Sequence, residues 1–234
     1  MLQIATNRNA SLLGTGFYTV PEAARLLRIP PLNIRRWLGG YTYKQGEKVV
    51  KMPPLWSPQL PCQDHHLELG FRDLIELLVM KSFIDQGLSV AVVRGCLDVA
   101  RECVDDPRPF STRRFQTDGQ TIFLESLRGL DDAEVLDLKK KQYVIKRLID
   151  RTFKDLDLSD DIVTSWRPYD GKKSIVVDPE RAFGQPIAAD YGVPTVTLAQ
   201  AVQAEGSVER VTQLYDVPKG VVRDAVKFEH SLAA

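Results

Sequence analysis

The sequence predicts a mainly α fold with small β-hairpins, an α+β chain with a winged helix-turn-helix at its N-terminal end and a small helical, helix-turn-helix-like domain at its C-terminal end. Three observations carry this. Short apolar-periodic stretches with clear caps outnumber alternating ones. Two pairs of these stretches are joined by short turns that contain proline. A basic, alternating segment with a glycine turn follows the first pair directly.

The first pair lies in Phe17–Trp37, FYTVPEAARLLRIPPLNIRRW. Thr19 is a good N-cap, Pro21 suits a first helical turn, and Glu22 stands where a capping box needs a carboxylate. The helix Pro21–Arg28 turns Ala24, Leu27 and Ile29 inward. Ile29-Pro30-Pro31 stops it, because proline lacks an N–H and restricts the residue before it. Pro31 then starts a second helix, Pro31–Leu38, with Ile34 and Trp37 inward and Asn33, Arg35 and Arg36 outward. Arginine and asparagine pair bidentately with guanine and adenine edges, so these three are the candidate base readers. Gly39-Gly40 ends the helix. TYKQGEKVVKM reads as a hairpin with strands Thr42–Lys44 and Lys48–Met52 around Gly46. Its Lys44, Lys48 and Lys51, with Thr19 and Arg28, are candidate phosphate contacts, which position a protein on DNA without reading sequence.

The prolines at 53, 54, 58 and 61 predict a stiff connector. Leu69–Asp85 has apolar residues Phe71, Leu74, Ile75 and Leu78 at helical spacing. Gly87 ends that helix, and Ser89 caps the next, Val90–Cys103. This apolar pair either completes the core of the DNA-binding module or forms a dimer seam. Arg113–Thr117 and Gln120–Glu125 alternate around Asp118-Gly119, the pattern of a hairpin. Lys139–Thr152 is a helix with Tyr143, Leu148 and Phe153 as expected anchors. Ile162–Trp166 and Ser174–Val177 are expected strands flanking a second Asp-Gly link, Asp170-Gly171. In the last sixty residues, Leu198–Glu205, Val208–Tyr215 and Lys219–Glu229 are expected helices, the last two across Asp216-Val217-Pro218. Here Arg210, Lys219, Arg223 and Lys227 stand against five carboxylates; a balanced surface is poor for phosphate binding, so the unit reads as a protein-interaction or dimerisation fold ahead of a second DNA-binding one. The expected segments are a loose tail 1–16, the winged module 17–61, a helical pair 62–110, a hairpin, helix and connector 111–171, and the C-terminal unit 172–234.

Bulk properties narrow the classes of function. The chain has 234 residues, 44% of them hydrophobic and 26% charged, with a formal net charge of zero. There is no apolar run long enough to span a bilayer and no leader pattern, so a cytoplasmic chain with no membrane contact is expected. Charge is unevenly spread: Phe17–Pro61 holds seven Lys/Arg against two Asp/Glu. A basic module on an acidic remainder suits DNA at one end and another partner at the other. Three cysteines make no disulfide framework. Cys62-Gln63-Asp64-His65-His66 is the one cluster of soft ligands, and no second pair completes a zinc site. Asp178, Glu180 and Asp190 sit among turn residues. No catalytic triad or nucleotide-binding loop is present. No enzyme, cofactor or metal is expected.

YTVPEAARLLRIPPLNIRRW resembles the N-terminal helix-turn-helix of MerR-class transcriptional regulators through Thr19, Ala24 and Ile34-Arg35. The C-terminal stretch resembles a bacterial domain of VapB-type antitoxins through Asp178-Pro179, Gly184-Gln185-Pro186, Gly192-Val193-Pro194 and Phe228-Glu229. LELGFRDLIELLVMKSFIDQGLS and FQTDGQTIF resemble the longer members of that group, which join both modules. The resemblance implies an antitoxin of a type II toxin–antitoxin system. Its partners would be a PIN-like ribonuclease toxin, operator DNA and a second copy of the chain. A stand-alone MerR-like regulator, with a C-terminal sensing or protein-binding domain, is the alternative. There is no polar C-terminal tail of the kind that folds on binding, so toxin neutralisation is expected to use a folded surface.

Overall fold

A computed structural model describes residues 14–60, 66–127, 132–169 and 171–233, with 132–142 described as helical backbone only. The chain is mixed α/β, mostly helical with small sheets. It divides into two compact units. One is Thr19–Val163; the other joins the described residues of Met1–Tyr18 to those of Thr164–Ala234.

The first unit opens with α1 (Val20–Leu27) and α2 (Pro31–Gly39). Thr19 and Glu22 form the expected reciprocal capping box on α1. α1 ends on Arg28, whose backbone is left-handed at φ 53°, ψ 47°. The next N–H, of Ile29, returns to the Ala24 carbonyl at 3.1 Å, which turns the chain sharply and buries Ile29. Strands β1 (Tyr41–Gln45) and β2 (Lys48–Met52) pair antiparallel, with Gln45 opposite Lys48. Gly46 at φ +63° fills the first central position of this two-residue turn, where a left-handed backbone is required.

The connector after the hairpin is held by charged side chains of α3 (Phe71–Asp85), of α4 (Val90–Val104) and of the segment that follows it. Asp73 is fully buried and accepts four hydrogen bonds: from Trp56 Nε1 (3.0 Å), Arg108 Nε (2.8 Å), and the backbone N–H groups of Gln59 (2.7 Å) and Gly70 (3.0 Å). Arg94 on α4 donates to the Pro53 and Pro54 carbonyls, and Arg101 to that of Leu55. α3 also packs on α1, and both Leu74 and Ile75 are fully buried. α3, the first helix of the apolar pair, therefore packs on the first helix of the N-terminal pair.

The expected hairpin around Asp118-Gly119 is not formed. Arg113–Ser126 is a single helix, α5, capped by Thr112. Phe115, Ile122 and Phe123 are its buried face, and Phe115 lies 4.5 Å from Phe110, ring centre to ring centre. Gly119 is a contact residue rather than a turn residue: a Cβ there would lie 2.8 Å from Ile149 Cδ1 and 3.3 Å from Phe115 Cζ. α6 runs over Asp132–Phe153, longer than expected. Ile145, Ile149 and Phe153 are its buried stripe, whereas Tyr143 is 70% exposed and anchors nothing. It falls on the same outer side as the exposed Lys146, Arg147 and Asp150. β3 (Leu156–Ser159) follows, and the chain crosses into the second unit within β4 (Ile162–Trp166).

In the second unit Trp166 pairs with Val177, and β5 (Ile175–Val177) pairs antiparallel with β6 (Pro186–Ala188). Of the second Asp-Gly link, Gly171 is left-handed at φ +69°, while Asp170 lies outside the described residues. Helices α7 (Thr195–Glu205), α8 (Val208–Tyr215) and α9 (Lys219–Ala233) follow. Leu198, Val211, Val217, Val222 and Ala225 close a core with Ala188. The N-terminal segment joins this unit: Phe17 N–H donates to the Phe183 carbonyl at 3.0 Å and Tyr18 Oη to that of Gly184 at 2.8 Å. The expected loose tail otherwise falls outside the described residues, apart from 14–16.

Candidate nucleic-acid interface

The outward side of α2 is set by its buried one. Ile34, Trp37 and Leu38 are buried, so at 100° per residue the opposite ridge runs through Leu32 and Arg36. Arg35 and Asn33 flank that ridge on opposite sides, about 160° apart. Arg35 and Arg36 are exposed and Asn33 is half-buried. Arg36 stacks on Tyr41 of β1, its guanidinium carbon 5.6 Å from the ring centre. That contact orients the guanidinium without using its N–H groups. Arg35 borders a concavity of about 610 Å³, shared with Thr19, Leu38, His66 and Glu68. Leu32, 57% exposed, was not among the sequence candidates. An apolar side chain on the outer ridge of such a helix is suited to a thymine methyl group.

The hairpin register separates its lysines. Thr42 lies opposite Lys51 and Lys44 opposite Val49, so Lys44 and Lys51 share one face. Lys48 lies opposite Gln45, on the face of Tyr41 and Tyr43. Those rings stand 6.1 Å apart and are both exposed, a second feature that the pattern of cations in the sequence does not announce. β1 is exposed along its whole length, as is most of β2.

Two further candidates have particular surroundings. The Thr19 hydroxyl donates to Glu22 Oε2 at 2.7 Å, and that carboxylate sits where an approaching phosphate would be repelled. Arg28 is exposed at the turn. Of the soft-ligand cluster, residues 62–65 lie outside the described residues and His66 is exposed. Among the described residues no group of three His, Cys, Asp or Glu is placed to hold a metal ion. Asp178 accepts the N–H of Glu180 at 2.9 Å, the turn chemistry its Asp-Pro context suggests. Burial pushes the Cys96 thiol up to about 12, against a pull from Ser126. No described helix is long and apolar enough to cross a membrane.

The fold is the class of a solved structure: the crystal structure of Rv2018 from Mycobacterium tuberculosis superposes with a TM-score of 0.68 over 89% of this chain and 96% of that one, at 22% identity. In sequence the chain is similar to the M. tuberculosis protein named as a candidate antitoxin, VapB45, 24% identical over 220 residues that make up 89% of this chain and 92% of that protein. No protein-family model matches.

Proposed function

We propose that this chain is the antitoxin of a type II toxin–antitoxin system, which neutralises a PIN-like ribonuclease and binds operator DNA as an autorepressor. One observation carries the DNA half: an exposed helix ridge, Leu32 and Arg36, whose Arg36 stacks on Tyr41 of an exposed basic hairpin directly after a capped helix-turn-helix. In a MerR-like winged module of the kind proposed, the second helix enters the major groove and the wing reaches phosphates. Arg36, Arg35 and Asn33 read base edges, with Leu32 as an apolar contact. Arg28, Lys44, Lys48 and Lys51 hold phosphates, whereas Thr19 serves chiefly to cap α1. The antitoxin half is supported by similarity to candidate antitoxin VapB45 along nearly the whole of both chains. The C-terminal unit is the proposed toxin-facing and dimerisation surface. It exposes Phe183 (73%) and Leu214 (65%), large apolar side chains of the kind that protein interfaces bury.

Tagged chain purified from its native host tests both halves. Co-purification of a small protein that cleaves RNA only after separation, together with retention of DNA from upstream of the chain's own gene, is the expected result. Purification alone with DNA retention would favour the stand-alone regulator. Absence of both would sink the proposal.

A further inference from the structure

The second unit repeats the cap, first helix and turn of the first unit's helix-turn-helix, and continues into a longer second helix. Ser207 caps α8 as Thr19 caps α1, each accepting the N–H three residues on: Arg210 at 3.3 Å and Glu22 at 3.4 Å. Both helices have eight residues and end on a left-handed, non-glycine residue, Arg28 at φ 53° and Asp216 at φ 52°. The next N–H returns to the same place in each, Ile29 to Ala24 at 3.1 Å and Val217 to Thr212 at 3.3 Å. Ile29 and Val217 are both buried, and each is followed by an exposed proline. The Pro30 carbonyl accepts from Asn33 and Ile34, and that of Pro218 from Val221 and Val222. Ile34 and Val222 are fully buried at matching positions, and the exposed Arg35 and Arg223 follow them.

Folding gathers the cations of this unit's last helix on one face. Lys219, Arg223, Lys227 and His230 lie at i, i+4, i+8 and i+11 on α9, and all are exposed. Asp224, Glu229 and Glu209 have hydrogen-bond or ion-pair partners, and the charge of Lys227 also acts on Asp224. Asp224 accepts from Lys172 at 2.7 Å and Ser174 at 2.9 Å, and Glu229 accepts from the Thr195 hydroxyl. Glu209 is bonded to Lys219, which leaves Arg223 and Lys227 as the main cations of the stripe.

From this repeat and this stripe we propose that α9 is a second DNA-contacting helix, which engages phosphodiester backbone through Arg223 and Lys227. Base reading is left to α2: of its three base-reading positions α9 keeps only that of Arg35, as Arg223, while Val221 and Asp224 replace Asn33 and Arg36. The inference rests on the operator-binding reading above, and it leaves the exposed apolar side chains of this unit to a protein partner.

The test is a titration of the full-length chain on its upstream DNA and on random DNA, at several salt concentrations. Arg223→Ala with Lys227→Ala should weaken both DNAs alike. It should also lower the slope of log affinity against log salt by about one per residue removed. Arg223→Lys should keep the wild-type slope, and Lys146→Ala with Arg147→Ala on α6 should also leave it unchanged. An unchanged slope in the Arg223/Lys227 variant, with wild type still retaining DNA, would overturn this inference alone. So would loss of a co-purifying toxin with DNA binding intact, which would make the stripe a protein face. Failure of the wild-type chain to retain DNA would overturn the operator reading and this inference together.

Discussion

Arg36 and Arg28 show how much one side chain's setting decides. Arg36 lies on the outer ridge of α2 and is held by Tyr41, so Arg36→Ala should cost about 1–3 kcal/mol on the cognate site and far less on random DNA, measured by parallel titrations. Equal losses on both would make Arg36 a positioning residue. Arg28 occupies a left-handed backbone, which costs a residue with a Cβ about 1 kcal/mol or more. Arg28→Gly should therefore be more stable than Arg28→Ala by about 1 kcal/mol in urea unfolding, since both lack the side chain and differ in that strain. Glu76 is fully buried and accepts the Ser111 N–H at 2.8 Å. Burial pushes its carboxyl up to about 8 from an ordinary 4.5, against the pull of Ser111 and the Arg72 guanidinium. Between those values the folded chain keeps a proton that the unfolded chain releases. Stability should thus fall as pH rises from about 4.5 to 8 and level off above. Glu76→Gln cannot titrate, so this part of the slope should vanish from its urea midpoints across that range; an unaltered slope would assign the pH dependence elsewhere.

At the scale of elements, α5 gives the sharpest prediction. Gly119→Val would push a branched side chain into Ile149 and Phe115, against atoms already 2.8 Å and 3.3 Å from a bare Cβ, and should cost about 1–3 kcal/mol. A hairpin turn at Asp118-Gly119 would instead tolerate a polar replacement beside it and show no α5–α6 coupling. Periodicity could not see this. Phe115, Ile122 and Phe123 satisfy a helix, but local alternation and an Asp-Gly pair imitate a strand turn, and only the packing of α6 shows why the glycine is there. α1, α2 and the β1–β2 hairpin were legible because their signals are local: a hydroxyl cap, a carboxylate three residues on, paired prolines and one turn glycine. The buried charge cluster was not legible. Nothing near Asp73 in sequence announces Trp56 or Arg108 as its partners, which lie 17 and 35 residues away. Likewise the cations of the candidate interface could be read off the chain, whereas Leu32, the two tyrosines and the division of the lysines between hairpin faces needed a helix phase and a strand register.

For the whole molecule, net charge is a poor guide to what the chain binds. Its formal charge is zero, yet Phe17–Pro61 carries seven Lys/Arg against two Asp/Glu. Screening confines each charge to about a Debye length, roughly 10 Å at 0.1 M salt, so DNA approaching one module would feel the local sign rather than the sum. A dimer would place two recognition helices one helical turn apart, about 34 Å, and bring two sets of Arg28, Lys44, Lys48 and Lys51 to the backbone. Contacts of that number release enough counterions to weaken binding by about 10³-fold or more between 50 and 200 mM salt. The full-length chain should show that steep dependence on a palindromic upstream site. On a single half-site the slope should be about half as steep, because one copy of the cations is withdrawn. A shallow slope on both would mean that the hairpin lysines are solvated surface. Equal slopes on both would mean that a single copy binds, and the two-fold arrangement would have to be given up while the recognition helix kept its role.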